Sequence, residues 1–174
     1  NQSSAILFMN ENIYLNYSFY FPDDQFIYNF IKKPNYSIKM KLAALFTGGK
    51  DSTYAIYLAK QQGHEVTCLI TLKSKNQYSY MFHTPAIELT ELQAEAMQLP
   101  IVFSKTDGEK EKELIDLEKG IVKAQKQFEF DGLITGALFS EYQSSRIETI
   151  AKKLGLECVN PLWQKNQEKE MQEL

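Results

Sequence analysis

The sequence predicts an α/β fold in which helices cover both faces of a five-stranded parallel sheet. Two observations support this prediction. Short apolar runs alternate along the chain with longer amphipathic segments, and the first run ends immediately before two glycines. This alternation is typical of parallel sheets, because each crossover helix returns the chain to the same end of the sheet.

The strands are predicted from short runs of apolar or β-branched residues. The first run is almost wholly apolar, as expected of a strand that is buried on both faces, and the second is rich in valine, isoleucine and threonine. The later runs stop at turn residues, the fourth at Gly136 and the fifth at Pro161. The predicted strands are residues 41–46, 65–72, 101–103, 131–135 and 157–159.

Four helices are predicted between these strands. Gly63 ends the first helix and Gly155 ends the last, since glycine commonly follows the final turn. Thr84 and Pro85 suit the start of the second helix, as cap and first-turn residue. The third helix keeps its apolar side chains three and four positions apart. The predicted helices are residues 52–62, 84–99, 109–128 and 140–154.

The composition argues against several classes of protein. The chain has 174 residues, enough for one domain with or without a tail. Its net charge of −3 offers no broad attraction for nucleic acid. No run resembles a membrane span or a signal peptide, so we expect a cytoplasmic location and no membrane partner. Cys68 and Cys158 show no metal-ligand spacing, so no resident metal site is expected.

The first 39 residues differ from the rest of the chain. They hold ten of the 22 aromatic residues, whereas all eight glycines come after Met40. The preferred hypothesis is that Met40 is the natural start and that residues 1–39 are upstream sequence read in frame. The alternative is an N-terminal strand or helix that packs on the domain. The nucleotide-binding domain is therefore assigned to residues 40–174.

The strongest candidate for a ligand-binding loop is Thr47-Gly48-Gly49-Lys50-Asp51-Ser52, between the first strand and the first helix. Glycines allow the backbone to approach phosphate oxygens, and the helix amino end supplies N–H groups. The loop is not of Walker type, because Ala44 and Asp51 stand where that motif requires glycine and a hydroxyl residue. It resembles the Ser-Gly-Gly-Lys-Asp-Ser loop of the ATP-pyrophosphatase (PP-loop) superfamily, with Rossmann-like, HUP-type topology, and Thr47 is a conservative departure.

Further short motifs resemble one family within that superfamily, the diphthine–ammonia ligases, which form the last amide of diphthamide on elongation factor 2. The resemblance covers residues 40–174. Members of this family continue with an acidic Gly-Glu-Tyr-Glu-Thr-like stretch that this chain lacks, so part of the substrate-binding half is expected to be missing. The matching motifs are Met81-Phe82-His83, Gly108-Glu109-Lys110-Glu111, Gly136-Ala137, Tyr142-Gln143, Arg146-Ile147-Glu148, Leu154-Gly155-Leu156 and Pro161-Leu162-Trp163.

The resemblance implies a ligase that uses ATP with Mg²⁺, ammonium and the diphthine form of elongation factor 2. A carboxylate would attack the α-phosphate, pyrophosphate would leave, and ammonia would displace AMP. The expected catalytic residues are Lys50, Asp51 and Arg146, although Asp51 also suits a first helical turn without any function, and Arg146 also suits an ordinary surface. The expected nucleotide-binding residues are Thr47, Gly48, Gly49, Lys50, Asp51, Ser52 and Gly136.

Other residues and other functions stay open at this point. His83 is either a substrate contact or an exposed loop histidine. We expect Glu109, Glu111 and Glu113 to lie on a solvated helix face. The rival functions are a transfer-RNA-modifying enzyme of the same superfamily and a non-catalytic module that binds ATP or AMP.

Overall fold

The computed structural model describes residues 39–76, 87–109, 111–137, 140–164, 168, 171 and 172. The chain divides into two compact units, Asn1–Tyr36 and Ser37–Leu174, and all described residues belong to the second unit. The expectations for residues 1–39 other than Lys39, for His83 and for the cap at Thr84 lie outside the described residues.

Between Lys41 and Val159, the described residues form five strands that alternate with four α-helices, as the sequence predicts. A short 3₁₀ helix at Ile87–Leu89 leads into the second α-helix. The strands are β1 (Lys41–Leu45), β2 (Glu65–Ser74), β3 (Ile101–Thr106), β4 (Gly132–Ile134) and β5 (Glu157–Val159). The helices are α1 (Lys50–Gln61), α2 (Thr90–Ala96), α3 (Lys112–Gln125) and α4 (Glu141–Lys153).

The strands form one parallel sheet in the order β3-β2-β1-β4-β5. The chain runs outward from β1 through β2 to β3, and then crosses to the other side of β1 to form β4 and β5. This reversal places a topological switch point between β1 and β4. Parallel α/β sheets bind ligands at such a point, beyond the carboxyl ends of the strands.

Side chains of β1 point alternately into two apolar cores, one on each face of the sheet. Ala43 and Leu45 pack with α3 and α4 on one face. Leu42, Ala44 and Phe46 pack with α1 and α2 on the other face. The pairs α1–α2 and α3–α4 therefore cover opposite faces, which confirms the predicted fold class.

Some element boundaries differ from the prediction. The third strand continues to Thr106, three residues beyond the apolar run, because β3 lies at the edge of the sheet and polar side chains such as Ser104 and Lys105 are only partly buried or exposed there. The α-helical part of α2 is shorter than expected, since it begins at Thr90 after the 3₁₀ turn. Within the described ranges, no helix is both long and apolar enough to cross a membrane.

Candidate phosphate-binding site at the sheet switch point

Two glycines lie between β1 and the start of α1. Gly48 has a φ of 76°, a left-handed conformation that glycine adopts without strain. Gly49 is the N-cap residue of α1 and has no side chain with which to cap the helix. Because the first-turn N–H groups of a helix have no acceptor within the helix, they are suited to an anion.

The side-chain hydroxyl groups of Thr47 and Ser52 stabilise the loop through contacts within it. Ser52 Oγ donates to the Gly49 carbonyl at 3.0 Å and lies 3.2 Å from Thr47 Oγ1. A serine hydroxyl has one hydrogen, so Thr47 must be the donor in the second contact. Both residues are among the expected nucleotide-binding residues; in this structure their hydroxyls stabilise the loop, and Ser52 is 6% exposed.

Lys50 and Asp51 occupy the first turn of α1 and form an ion pair with each other. Their side chains are 50% and 40% exposed, so both groups are accessible from solvent. The carboxylate of Asp51 lies where the helix dipole favours negative charge. The structure thus places a cation and a metal-compatible carboxylate together at the helix amino end.

Gly136 brings the end of β4 against this loop. A Cβ atom on Gly136 would lie 2.9 Å from the Ser52 nitrogen and 3.0 Å from the Asp51 carbonyl carbon. Both are backbone atoms that cannot move without displacing the start of α1. The predicted residues Gly136, Asp51 and Ser52 are therefore neighbours, and only glycine fits at this point of contact.

Two residues outside the loop motif support the loop. Gln93 of α2 donates its side-chain Nε2 to the Gly48 carbonyl at 3.1 Å. Thr71 of β2 is fully buried and donates to the Phe46 carbonyl at 2.7 Å. Neither contact could be predicted from a local sequence motif, because each joins residues at least 25 positions apart.

Arg146 lies in the second turn of α4, as predicted, and the contacts described for it are with Glu111 and Tyr142. Its Nη2 donates to Glu111 Oε1 at 2.9 Å, and its guanidinium stacks on the Tyr142 ring at 3.5 Å. Tyr142 Oη donates to the same Glu111 oxygen at 2.9 Å. Three separate sequence motifs thus meet in one cluster, which we call the Glu111–Tyr142–Arg146 cluster.

The expectation that three glutamates lie on a solvated helix face is wrong for Glu113. Glu113 is fully buried in the first turn of α3. Glu111 is the N-cap residue of that helix and bridges to α4. Helical spacing could not reveal the burial of Glu113, because it does not show which elements pack against the amino end of α3. Glu109 is exposed and forms an ion pair with Lys112 at 2.6 Å.

Both cysteines are free thiols, and burial dominates their chemistry. Burial raises the pKa of Cys68 to about 11, opposed by a hydrogen bond with Thr67. Burial also raises the pKa of Cys158 to about 11, assisted by the charges of Glu148 and Glu157. Neither thiol is activated as a nucleophile. Across the described part of the chain, no three histidine, cysteine, aspartate or glutamate residues come together to hold a metal ion.

Comparison with known proteins identifies one family. A sequence model of the diphthamide synthase N-terminal domain matches residues 40–158. Proteins named diphthine–ammonia ligase from Bos taurus and Homo sapiens are each 35% identical over 156 residues, and the one from Schizosaccharomyces pombe is 30% identical over 146. These alignments cover 78%, 78% and 75% of this chain.

Among solved structures, a predicted subunit of a transfer RNA methyltransferase from Methanocaldococcus jannaschii aligns with 76% of this chain and 74% of its own. The TM-score is 0.45 and the sequence identity is 15%, too low to bear on fold or function.

Fold and site together define a parallel α/β protein with a glycine-containing loop at its switch point. The chain belongs to the diphthamide synthase N-terminal domain family. It spans 57% of the length of the bovine and human relatives and 24% of the fission yeast relative.

Proposed function

We propose that this chain is the nucleotide-activating part of a diphthine–ammonia ligase. The observation that carries the proposal is the glycine loop at the switch point, where Gly136 packs on the uncapped amino end of α1. Such an end binds phosphate oxygens through backbone N–H groups. The family and the names of its relatives support the choice of reaction.

The loop residues fit the β- and γ-phosphates of ATP. Gly48 and Gly49 leave space for close approach of the phosphates, while Thr47 and Ser52 hold the loop in its bent shape. Lys50 supplies a positive charge. When nucleotide binds, the Lys50 ammonium group leaves its ion pair with Asp51 and contacts phosphate oxygens instead. Asp51 is then available to the Mg²⁺ that accompanies ATP, because carboxylate oxygens are preferred Mg²⁺ ligands.

The reaction needs no covalent nucleophile from the protein. A carboxylate of diphthine on elongation factor 2 attacks the α-phosphate, forming an acyl-adenylate while the bond to pyrophosphate breaks. Ammonia then attacks the acyl carbon, forming the amide and releasing AMP. The contribution of this chain is to hold the phosphates and to stabilise the charge that develops on the α-phosphate, a role suited to Lys50 and Arg146.

The nucleotide product tests this proposal, because adenylation yields AMP and pyrophosphate whereas a kinase or ATPase yields ADP. The protein, extended to the length of its relatives, should be mixed with ATP, Mg²⁺, ammonium and elongation factor 2 bearing diphthine. We expect AMP by chromatography and one added amide on the acceptor by mass spectrometry.

Each other result excludes part of the proposal. ADP as the product would contradict the superfamily chemistry. AMP formed only with transfer RNA would retain the loop chemistry and exclude the proposed acceptor. ATP binding without any turnover in the extended protein would favour a non-catalytic nucleotide-binding module. The chain of 174 residues by itself should bind ATP and turn it over slowly or not at all.

A further inference from the structure

The Glu111–Tyr142–Arg146 cluster joins the amino ends of two helices through one carboxylate oxygen. Glu111 Oε1 accepts hydrogen bonds from Tyr142 Oη and from Arg146 Nη2, both at 2.9 Å. The Tyr142 ring supports the guanidinium by stacking against it. An arginine held by a hydrogen bond and a ring loses less conformational freedom when it binds a ligand.

The backbone of Glu111 is strained. Its φ of 69° lies in the left-handed region, which favours glycine and is costly for a long side chain. Residues in such conformations occur preferentially at functional sites, where the surrounding structure compensates for the strain. Glycine at this position would relieve the strain but would remove the carboxylate, so a glycine variant separates the role of the carboxylate from the stability of the backbone.

The cluster lies at the same end of the sheet as the phosphate-binding loop. Helices α3 and α4 follow β3 and β4, so both begin at the carboxyl edge, and both pack on the same face. The Arg146 side chain is 33% exposed, although Glu111 and Tyr142 contact its guanidinium. In parallel sheets, ligands bind along this edge.

We propose that Glu111 and Tyr142 are positioning residues, which hold the guanidinium of Arg146 at the carboxyl edge so that it contacts the phosphates of bound ATP. This inference rests on the proposed function, because it assumes a nucleotide in the loop. Glu111 keeps Arg146 extended from α4 before the nucleotide arrives. The guanidinium then shares its donors between the carboxylate and phosphate oxygens, since it carries five N–H groups in a planar fork.

Affinity for Mg·ATP, measured by titration calorimetry, and the melting temperature together test this role. Glu111→Gly should weaken binding about five- to tenfold, the effect of misplacing one charge-assisted contact, without lowering the melting temperature, because it removes strain. Glu111→Gln retains an acceptor and should restore part of the affinity. A purely structural role predicts the reverse, a lower melting temperature with unchanged affinity, and would overturn the proposal.

A second ion pair between the same helices provides a matched control. Lys153 Nζ contacts Glu118 Oε1 at 2.7 Å, farther along α3 and α4. Glu118→Ala should leave Mg·ATP affinity unchanged. If it weakens binding as much as Glu111→Gly does, any contact between α3 and α4 suffices and the positioning role is excluded.

A double-mutant cycle separates this inference from the proposed function. In an Arg146→Ala background, Glu111→Gly should cause no further loss of affinity, because Glu111 acts through Arg146; independent, additive losses would contradict this. Lys50→Ala serves as the reference. If Lys50→Ala leaves ATP affinity unchanged, the proposed function fails. If Lys50→Ala weakens binding but neither Glu111→Gly nor Tyr142→Phe does, the positioning role alone fails.

Discussion

At the scale of single residues, the proposed nucleotide site depends most directly on Lys50, because its charge lies in the first turn of α1. Replacing Lys50 with alanine would remove one of the proposed charge-assisted contacts to phosphate. We expect Lys50→Ala to weaken Mg·ATP binding by about 1.5–3 kcal/mol in titration calorimetry.

The matched control for this variant is Lys60→Ala. Lys60 is an exposed lysine in the last turn of the same helix, so its removal changes the net charge equally but far from the loop. Lys60→Ala should bind ATP as the wild type does. Equal affinities for Lys50→Ala and Lys60→Ala would exclude the loop as the phosphate site.

Cys68 makes stability depend on alkaline pH. Its side chain is fully buried, and burial raises its pKa from 9.0 to about 11. A group whose pKa is higher in the folded state than in the unfolded state makes its full contribution to stability at pH values below the unfolded-state pKa. That contribution is lost as the pH rises from 9 toward 11, and the loss in the free energy of unfolding reaches about 1–2 kcal/mol at pH 10.5.

Denaturant unfolding of the wild type and of Cys68→Ala measures this contribution. The difference in the free energy of unfolding should be constant up to about pH 8 and should shrink above pH 9, because alanine does not titrate. A difference that stays constant to about pH 10.5 would show that the Cys68 thiol ionises equally in the folded and unfolded chains.

At the scale of elements, the site depends on the contact between the end of β4 and the amino end of α1. Gly136→Ala would place a Cβ atom 2.9 Å from the Ser52 nitrogen, and the loop backbone would have to move. We expect a loss of about 1–3 kcal/mol in the free energy of unfolding, typical of overpacking, together with weaker ATP binding.

Gly49→Ala is the control for this variant. It adds a methyl group to the loop without crowding the contact between β4 and α1. A Cβ atom on Gly49 would meet Thr47 Oγ1 at 3.5 Å, an ordinary contact distance. The free energy of unfolding should therefore fall less than in Gly136→Ala. Equal losses in the two variants would contradict the importance of the β4–α1 contact.

At the scale of the whole molecule, residues 40–174 are proposed to form the nucleotide-binding domain. All five strands lie between Lys41 and Val159, and the family match spans residues 40–158. Deletion of residues 1–39 removes the exposed ion pair between Lys39 and Glu65, worth about 1 kcal/mol at most. The shortened protein should remain folded, as judged by circular dichroism, and should keep its ATP affinity. An insoluble or molten product would show instead that the aromatic segment belongs to the core.

The sequence by itself determined the order of the elements and the position of the loop. Apolar runs of strand length that end at glycine or proline leave few alternatives to a parallel α/β fold. The loop Thr47–Ser52 is recognisable because its glycines, its lysine and the helix that follows are all local in sequence. The family could also be named from short motifs, since each motif is contiguous along the chain.

Only the tertiary structure decided which distant residues meet. The packing of Gly136 on α1, the bond from Gln93 to Gly48 and the meeting of Glu111 with Arg146 each join segments between 35 and 85 positions apart. The periodicity of apolar residues shows which face of a helix is apolar, but it does not show which elements pack against the amino end of that helix. Glu113 is therefore predicted from the sequence as a surface residue and is buried in the fold, because the environment of a side chain depends on elements that sequence spacing does not place.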